Sequence, residues 1–280
     1  SNHRDIILDT SLLNACLYEN GLVMTTSAIG DNLIKKPFLQ IFSRLNRNFA
    51  IRRGLSGRAL LESSLLASQF IHKSLLRENR SVWTAQREGR TKDGNDSTQK
   101  GVLKMLTLAE KGSSPFNFFE KIQLVPVSIS YEYDPTDSLK IPELIAKSKE
   151  EIYVKGENED FITLLSGIMG SKKRIHIQVN KVMTEEVRQL KKEELTQNEK
   201  LSKLGELIDQ EIWKGYKLWP SNYIAHDLLH QKNQFTAQYT AAEKTSFEKR
   251  LSQKVNQENS LEVENFLRMY AHPVINQLGL

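Results

Sequence analysis

Two residues near the start of the chain have the types that a proton transfer needs. His3 offers an imidazole able to accept a proton near neutral pH, and Asp9 offers a carboxylate able to hold that ring in one tautomer. Five residues, R-D-I-I-L, separate them. On a continuous helix the resulting six-residue step is a rotation of about 600°, which puts the two side chains on different faces. They can meet only if His3 lies in the turn before a helix that carries Asp9. Asp5 is the alternative partner. Farther along, Arg52 and Arg53 follow the apolar run Phe49-Ala50-Ile51, and Arg87-Glu88-Gly89-Arg90 follows Ser81 to Ala85. Arginine donates through a planar fork and keeps its charge, which suits phosphate oxygens. Gly89 suits a tight turn or a close backbone approach. Lys92 and Lys100 extend the positive surface.

The elements that must position these residues alternate in type. Leu8, Leu12, Leu13 and Leu17 recur at helical spacing, and Asn20-Gly21 ends that helix. Ser27-Ala28-Ile29 reads as a strand leading into Gly30-Asp31-Asn32-Leu33, and Pro37 opens a second helix through Phe38, Ile41, Phe42 and Leu45. Phe49–Ile51 is the next strand. A long helix over residues 57–78 should turn Leu60, Leu61, Leu65, Ala67 and Ile71 inward. A strand at 81–85 and a helix at 102–110 follow, and 122–130 is a near-continuous apolar strand of the kind buried on both faces. Pro126 inside it should mark an edge or a local break. Pro142 is expected to open a helix, 161–169 is a further apolar segment, and 174–179 alternates with period two as a last strand. From Thr184 the pattern is helical, with a capping box at Thr196/Glu199 and one apolar face of Leu201, Leu204, Ile208 and Ile212. His226 and His230, with Asp227, read as a solvated face. The expected fold class is α/β: a largely parallel sheet covered by helices over residues 1–183, with a helical C-terminal region over 184–280 for which packing on that domain, a membrane surface and a partner are the alternatives, packing being the plainest.

Four blocks in this order carry a resemblance to a known family: S-N-H-R-D-I-I-L-D at 1–9, N-F-A-I-R-R-G at 48–54, R-E-G-R-T-K-D-G at 87–94 and I-Q-L-V-P-V-S-I-S-Y-E at 122–132. Together they resemble the glycerolipid acyltransferases that act on glycerol 3-phosphate or 1-acylglycerol 3-phosphate. The family motif has four residues between its histidine and aspartate. This chain has five, and register with Asp9 resumes through T-S-L-L-N-A-C-L-Y-E-N-G-L-V. The third block, E-G-R-T, is one residue shorter than the family's, with Arg87 where that register would put glutamate. The resemblance implies an acyltransferase catalytic domain over 1–183 and an acyl chain moved from acyl coenzyme A or acyl carrier protein to an acceptor hydroxyl. His3 would be the base, Asp9 its orienter, Arg52, Arg53 and Arg90 the phosphate clamp, and Glu88 and Gly89 acceptor contacts. Asp31 and Asn32 would support the acceptor, and Pro126 would help shape the acyl-donor region. It implies no metal and no cofactor beyond the acyl donor as co-substrate. The implied partners are a glycerophospholipid acceptor, the donor and a membrane surface, at the cytoplasmic face as a peripheral protein. In the family a buried strand precedes the first block, so the sequence is expected to lack its native N-terminal strand. Two rivals remain: the same chemistry on a phosphate-free, amino-acid-containing lysolipid, and a catalytically impaired membrane-associated scaffold.

Composition narrows the class further. With 280 residues, the chain can bury a substantial core. No apolar run reaches the length of a membrane span, and no signal peptide opens the sequence. Cys16, the single cysteine, rules out an internal disulfide framework and a cysteine-rich metal site, fits a reducing compartment, and is expected to pack among leucines. Arg44, Arg47, Arg52, Arg53 and Arg58 crowd together with no acid among them, a cluster suited to phosphate groups. Zinc-finger spacing and aromatic RNA-binding signatures are missing, so nucleic acid is not an expected partner. There is no G-x-S-x-G elbow, no phosphate-binding G-x-x-x-x-G-K loop and no H-E-x-x-H helix.

Overall fold

Leu8–Glu19 (α1) leads into Thr26–Gly30 (β1), the centre of a parallel three-stranded sheet in a computed structural model that describes residues 1–110 and 112–280. Asn48–Ile51 (β2) lies on one side of β1 and Val82–Trp83 (β3) on the other. Parallel neighbours cannot be joined by a tight turn, so each connection carries a helix. Pro37–Leu45 (α2) links β1 to β2, and Gly57–His72 (α3), extended by a π-helical turn over Lys73–Arg77, links β2 to β3. Pro37 stands in the first turn of α2, where its missing N–H leaves no bond unmade. Ala67 and Ile71 of α3 are buried, whereas Leu60 and Leu61 are 48% and 58% exposed, contrary to expectation. Cys16 is also exposed, not packed.

Lys100–Thr107 (α4) and Pro115–Lys121 (α5) precede Val127–Tyr131 (β4), all five residues of which are buried. The expected strand over 122–130 therefore starts later: Pro126 has no N–H to donate, and the ladder begins one residue after it. Asp137–Ser148 (α6) begins before Pro142, which sits inside the helix and does not open it. Asp137 stabilises that start as an acid in the first turn, its Oδ1 accepting from Ser138 N at 2.8 Å. Glu159–Met169 (α7) then returns the chain to Ile175–Val179 (β5), which pairs with β4 antiparallel, Tyr131 opposite Ile175. The fold is α/β, but this second sheet departs from the largely parallel expectation. β5 is partly exposed along its length, and its period-two alternation is the mark of an antiparallel strand with one wet face.

Residues 1 and 2 lie between the two sheets. Ser1 N donates to Thr84 O at 3.1 Å, and Gln86 N donates to Ser1 O at 2.8 Å. The Asn2 amide takes both backbone groups of Ile129, donating to its carbonyl at 2.9 Å and accepting from its N–H at 2.8 Å.

Thr184–Lys192 (α8), Gln197–Gly215 (α9), Pro220–Leu229 (α10), Ala241–Lys254 (α11) and Ser260–Leu278 (α12) complete the chain. The Thr196/Glu199 capping box is formed in both directions, at 3.3 and 2.8 Å. Both larger cores cross residue 183. Leu201, Leu204, Ile208 and Ile212 pack with Ile71, Leu103, Phe116, Phe118 and Phe119; Ile224, Phe247, Phe266 and Tyr270 pack with Ile141 and Leu144. Each fully buried phenylalanine contributes roughly 1.5–3 kcal/mol of transfer free energy. His226 and Asp227 are buried, which corrects the solvated-face reading. Asp227 accepts from Gln234 N at 3.1 Å and from Tyr239 Oη at 2.9 Å, satisfying a carboxylate that the loop after α10 covers. At the far end, α12 clasps the 93–96 loop. Asn276 donates to Asn95 Oδ1 at 3.2 Å, His272 Nδ1 meets Asp93 O, and Gly94 lies against the Met269 carbonyl.

Candidate active site

His3 lies in the extended segment before α1, and Asp9 is the second residue of that helix. His3 Nδ1 and Asp9 Oδ2 are 2.7 Å apart. The same oxygen accepts from Arg4 N at 2.7 Å and Asp5 N at 3.1 Å, so the backbone between the two residues wraps over the carboxylate. That wrap is how the chain absorbs its five-residue spacing. With a carboxylate as acceptor, Nδ1 carries the proton and the lone pair falls on Nε2. Asp5 does not compete for the imidazole: its Oδ1 accepts from Ile7 N at 2.9 Å and Leu8 N at 2.8 Å, caging the entrance of α1. Burial holds the Asp5 carboxyl above its ordinary range. Its other oxygen lies where a Cβ on Gly167 would stand, at 2.3 Å, so that position in α7 must be glycine.

The second oxygen of Asp9 accepts from Tyr131 Oη at 2.9 Å. Burial, then the charge of Asp9, pushes this phenol far above its ordinary range, so it stays protonated as a fixed donor. Sequence reasoning had given Tyr131 no role; its position at the end of an all-buried strand was the available signal. Trp83 meets the His3 ring edge-on, with centroids 5.4 Å apart. Arg4 anchors the segment from below through Asp96 at 2.6 Å. Burial opposes its charge, but Asp96, Tyr216, Asp134 and Asp9 together outweigh burial and raise the guanidinium's pKa.

β1, β2 and β3 end at Gly30, Ile51 and Trp83, and all three residues line one cleft of about 730 Å³. A crevice at the carboxyl ends of parallel strands is where open α/β sheets hold ligands. His3, Arg52, Arg53, Glu88, Gly89 and Arg90 line it together. Asp9 stands behind His3, fully buried. Pro126 does not line this cleft: it is buried below β4 with its carbonyl accepting from Asn180 N at 3.0 Å.

The cations differ in how they are held. Arg53 forms an ion pair with Glu88, and its N–H donates to Asp31 Oδ1 at 3.0 Å. Glu88 therefore balances Arg53, and because it is 71% exposed the pair contributes about 1 kcal/mol or less. Arg90 Nη1 donates to Thr136 Oγ1 at 3.1 Å. Arg52 is exposed and has no ion-pair partner among the described residues. Asn32 lines the same cleft, with its Oδ1 and Arg53 Nε both close to Gly30, and it donates to Asp160 Oδ2 at 2.8 Å. Gly89 has φ +72° and open space where a Cβ would point, so the turn is what requires it. Lys92 pairs with Glu143. Arg87 and Lys155 add cations to the wall that sequence reasoning had not assigned, and Arg87 Nε is buried without a hydrogen-bond partner.

Comparison with protein-family models gives no match, and neither does comparison with curated proteins. Among the described residues, no group of three or more His, Cys, Asp and Glu is placed to hold a metal, and no helix is long and apolar enough to cross a membrane.

Proposed function

We propose that the chain is an O-acyltransferase of the glycerolipid type, moving a fatty acyl group from acyl coenzyme A or acyl carrier protein to a hydroxyl of glycerol 3-phosphate or lysophosphatidate. The observation that carries this reading is the 2.7 Å His3–Asp9 contact at the wall of a cleft that Arg52, Arg53, Arg87 and Arg90 also line. A base with its lone pair free and a set of fixed cations in one crevice suit an acceptor with a hydroxyl and a phosphate.

In this mechanism the cations seat the phosphate and bring the acceptor hydroxyl to His3 Nε2. Nε2 takes the hydroxyl proton as the oxygen attacks the thioester carbonyl. Asp9 stabilises the imidazolium, held by Tyr131 and the two backbone N–H groups. The tetrahedral intermediate collapses with cleavage of the carbon–sulfur bond, and the imidazolium returns its proton to the departing thiolate. No covalent enzyme intermediate forms.

The test offers the purified protein glycerol 3-phosphate, lysophosphatidate and a phosphate-free lysolipid, each with a labelled donor, and follows product by mass spectrometry. A phosphorylated acceptor should be acylated, and His3→Ala should slow the reaction roughly 100- to 10,000-fold. Preference for the phosphate-free lysolipid would move the substrate class. No product with any acceptor, or full activity in His3→Ala, refutes the proposal.

A further inference from the structure

α2 is amphipathic in the wrong sense for a helix packed on a core. Phe38, Ile41, Phe42 and Leu45 recur at i, i+3, i+4 and i+7, which makes one face, and they are 56%, 62%, 60% and 74% exposed. Ser43 is the helix's buried residue. Four large apolar side chains thus face outward from one short helix, a patch of the kind that marks an interaction surface. Cations border it: Lys35 and Lys36 before the helix, Arg44 in its last turn, and Arg47 just after. Residues 32–61 hold seven Lys and Arg and no acid, against a net charge of +5 for the whole chain, so the rest of the chain is slightly acidic.

We infer that α2 docks flat on an anionic lipid surface, with Phe38, Ile41, Phe42 and Leu45 in the acyl boundary and Lys35, Arg44 and Arg47 at headgroup phosphates. Apolar residues on one face and cations around it are what an interfacial helix requires. A second copy of the chain fits poorly, because a two-fold contact places the same patch on both subunits and brings two acid-free cationic segments together. The two ends of α2 also adjoin the cleft. Asn32 and Leu33 just before α2, and Asn48, Ile51, Arg52 and Arg53 just after it, line the cleft wall. With α2 on the bilayer, a lipid acceptor reaches the cleft beside the ends of that helix. This delivery role rests on the acyltransferase reading; the docking itself does not.

The experiment measures sedimentation of the full chain with phosphatidylcholine vesicles, with and without phosphatidylglycerol. Binding should require the anionic lipid and weaken with salt. Each basic residue near such a surface contributes roughly a factor of five, so Arg44→Gln with Arg47→Gln should weaken binding roughly 25-fold. Ile41→Ser with Phe42→Ser should weaken it at least about tenfold. Both pairs are exposed, so circular dichroism and Tm should match the parent. Failure to bind anionic vesicles, or parent-like binding by both variants, overturns the inference. So does a parent dimer that Ile41→Ser with Phe42→Ser converts to monomer. Turnover of glycerol 3-phosphate with a short-chain donor in the absence of vesicles separates the two claims: both variants should keep it. If no protein acylates glycerol 3-phosphate, lysophosphatidate or the phosphate-free lysolipid while vesicle binding follows the variants as stated, the acyltransferase reading falls and the docking face stands.

Discussion

Replacing Tyr131 by Phe removes one hydroxyl and leaves the ring in place, so it addresses the Oδ1 side of Asp9 alone. That oxygen accepts from Tyr131 Oη at 2.9 Å, while His3, Arg4 and Asp5 all converge on Oδ2. Asp9 is fully buried, so water cannot replace the lost donor. A hydrogen bond to a charged group contributes roughly 1.5–3 kcal/mol, and an unpaired buried acceptor forfeits about that much. Stability should therefore fall by about 2 kcal/mol, lowering Tm by roughly 3–4 °C for a chain of 280 residues. Turnover should fall less than for loss of the carboxylate. Oδ2 still fixes the tautomer of His3, and what is lost is alignment, about tenfold in kcat against roughly 10,000-fold for a wrong tautomer. KM for the acceptor should not move, because Tyr131 is not part of the cleft wall. Thermal unfolding at neutral pH, combined with initial rates of thiol release from acyl coenzyme A, measures all three. A Tm within about 1 °C of the parent would show that Asp9 does not depend on the phenol. A raised KM with unchanged kcat would place Tyr131 on the substrate and refute its action through Asp9.

Arg52→Ala should raise KM for a phosphorylated acceptor about tenfold or more with little change in kcat, since it removes a ground-state contact; an unchanged KM in steady-state kinetics would take Arg52 out of the clamp. Asp209, buried beside Thr98, has its carboxyl pushed up to about 6 from an ordinary 3.8. A folded value above the unfolded one stabilises fully below about pH 4 and is lost as pH rises through about 6, so Asp209→Asn should gain on the parent by about 2 kcal/mol between those limits. A Tm difference that stays constant across that range in a thermal scan would contradict this. Gly94→Ala should cost about 3 kcal/mol or more, because its Cβ would lie 2.1 Å from the Met269 carbonyl oxygen at φ +78°. Gly89→Ala, at φ +72° in open space, should cost about 1–2 kcal/mol, and denaturant unfolding of the pair should rank them in that order.

Local pattern made much of the framework legible. Leucine spacing gave α1, Pro37 gave the start of α2, Thr196 and Glu199 gave the start of α9, and the apolar run before Tyr131 gave a strand buried on both faces. His3, Arg52, Arg53 and Glu88 to Arg90 could be picked out because their types stand in four ordered blocks that resemble those of a known family. What stayed hidden depends on what each element meets in space. Leu60 and Leu61 have the spacing of an inward stripe but remain uncovered, while His226 and Asp227 look solvated until the loop after α10 folds over them. The reversal of β5 is decided by where α7 delivers the chain, and the choice of Asp9 over Asp5 by a backbone wrap that spacing rules do not describe. Tyr131 reaches Asp9 from 122 positions away.

The clasp of α12 on the 93–96 loop has a consequence for synthesis. Asp96 in that loop holds Arg4, and Arg4 is the neighbour of His3, so α12 stands two contacts from the imidazole. His3 and Asp9 leave the ribosome long before residues 269–276. At about 5–20 residues per second, on the order of ten seconds or more pass before residues 269–276 emerge. Until then the 93–96 loop is unclasped, and the segment that presents the imidazole rests on a support that is itself unfinished. A nascent chain that has not yet exposed residues 269–276 therefore carries the His3–Asp9 pair on an incomplete support.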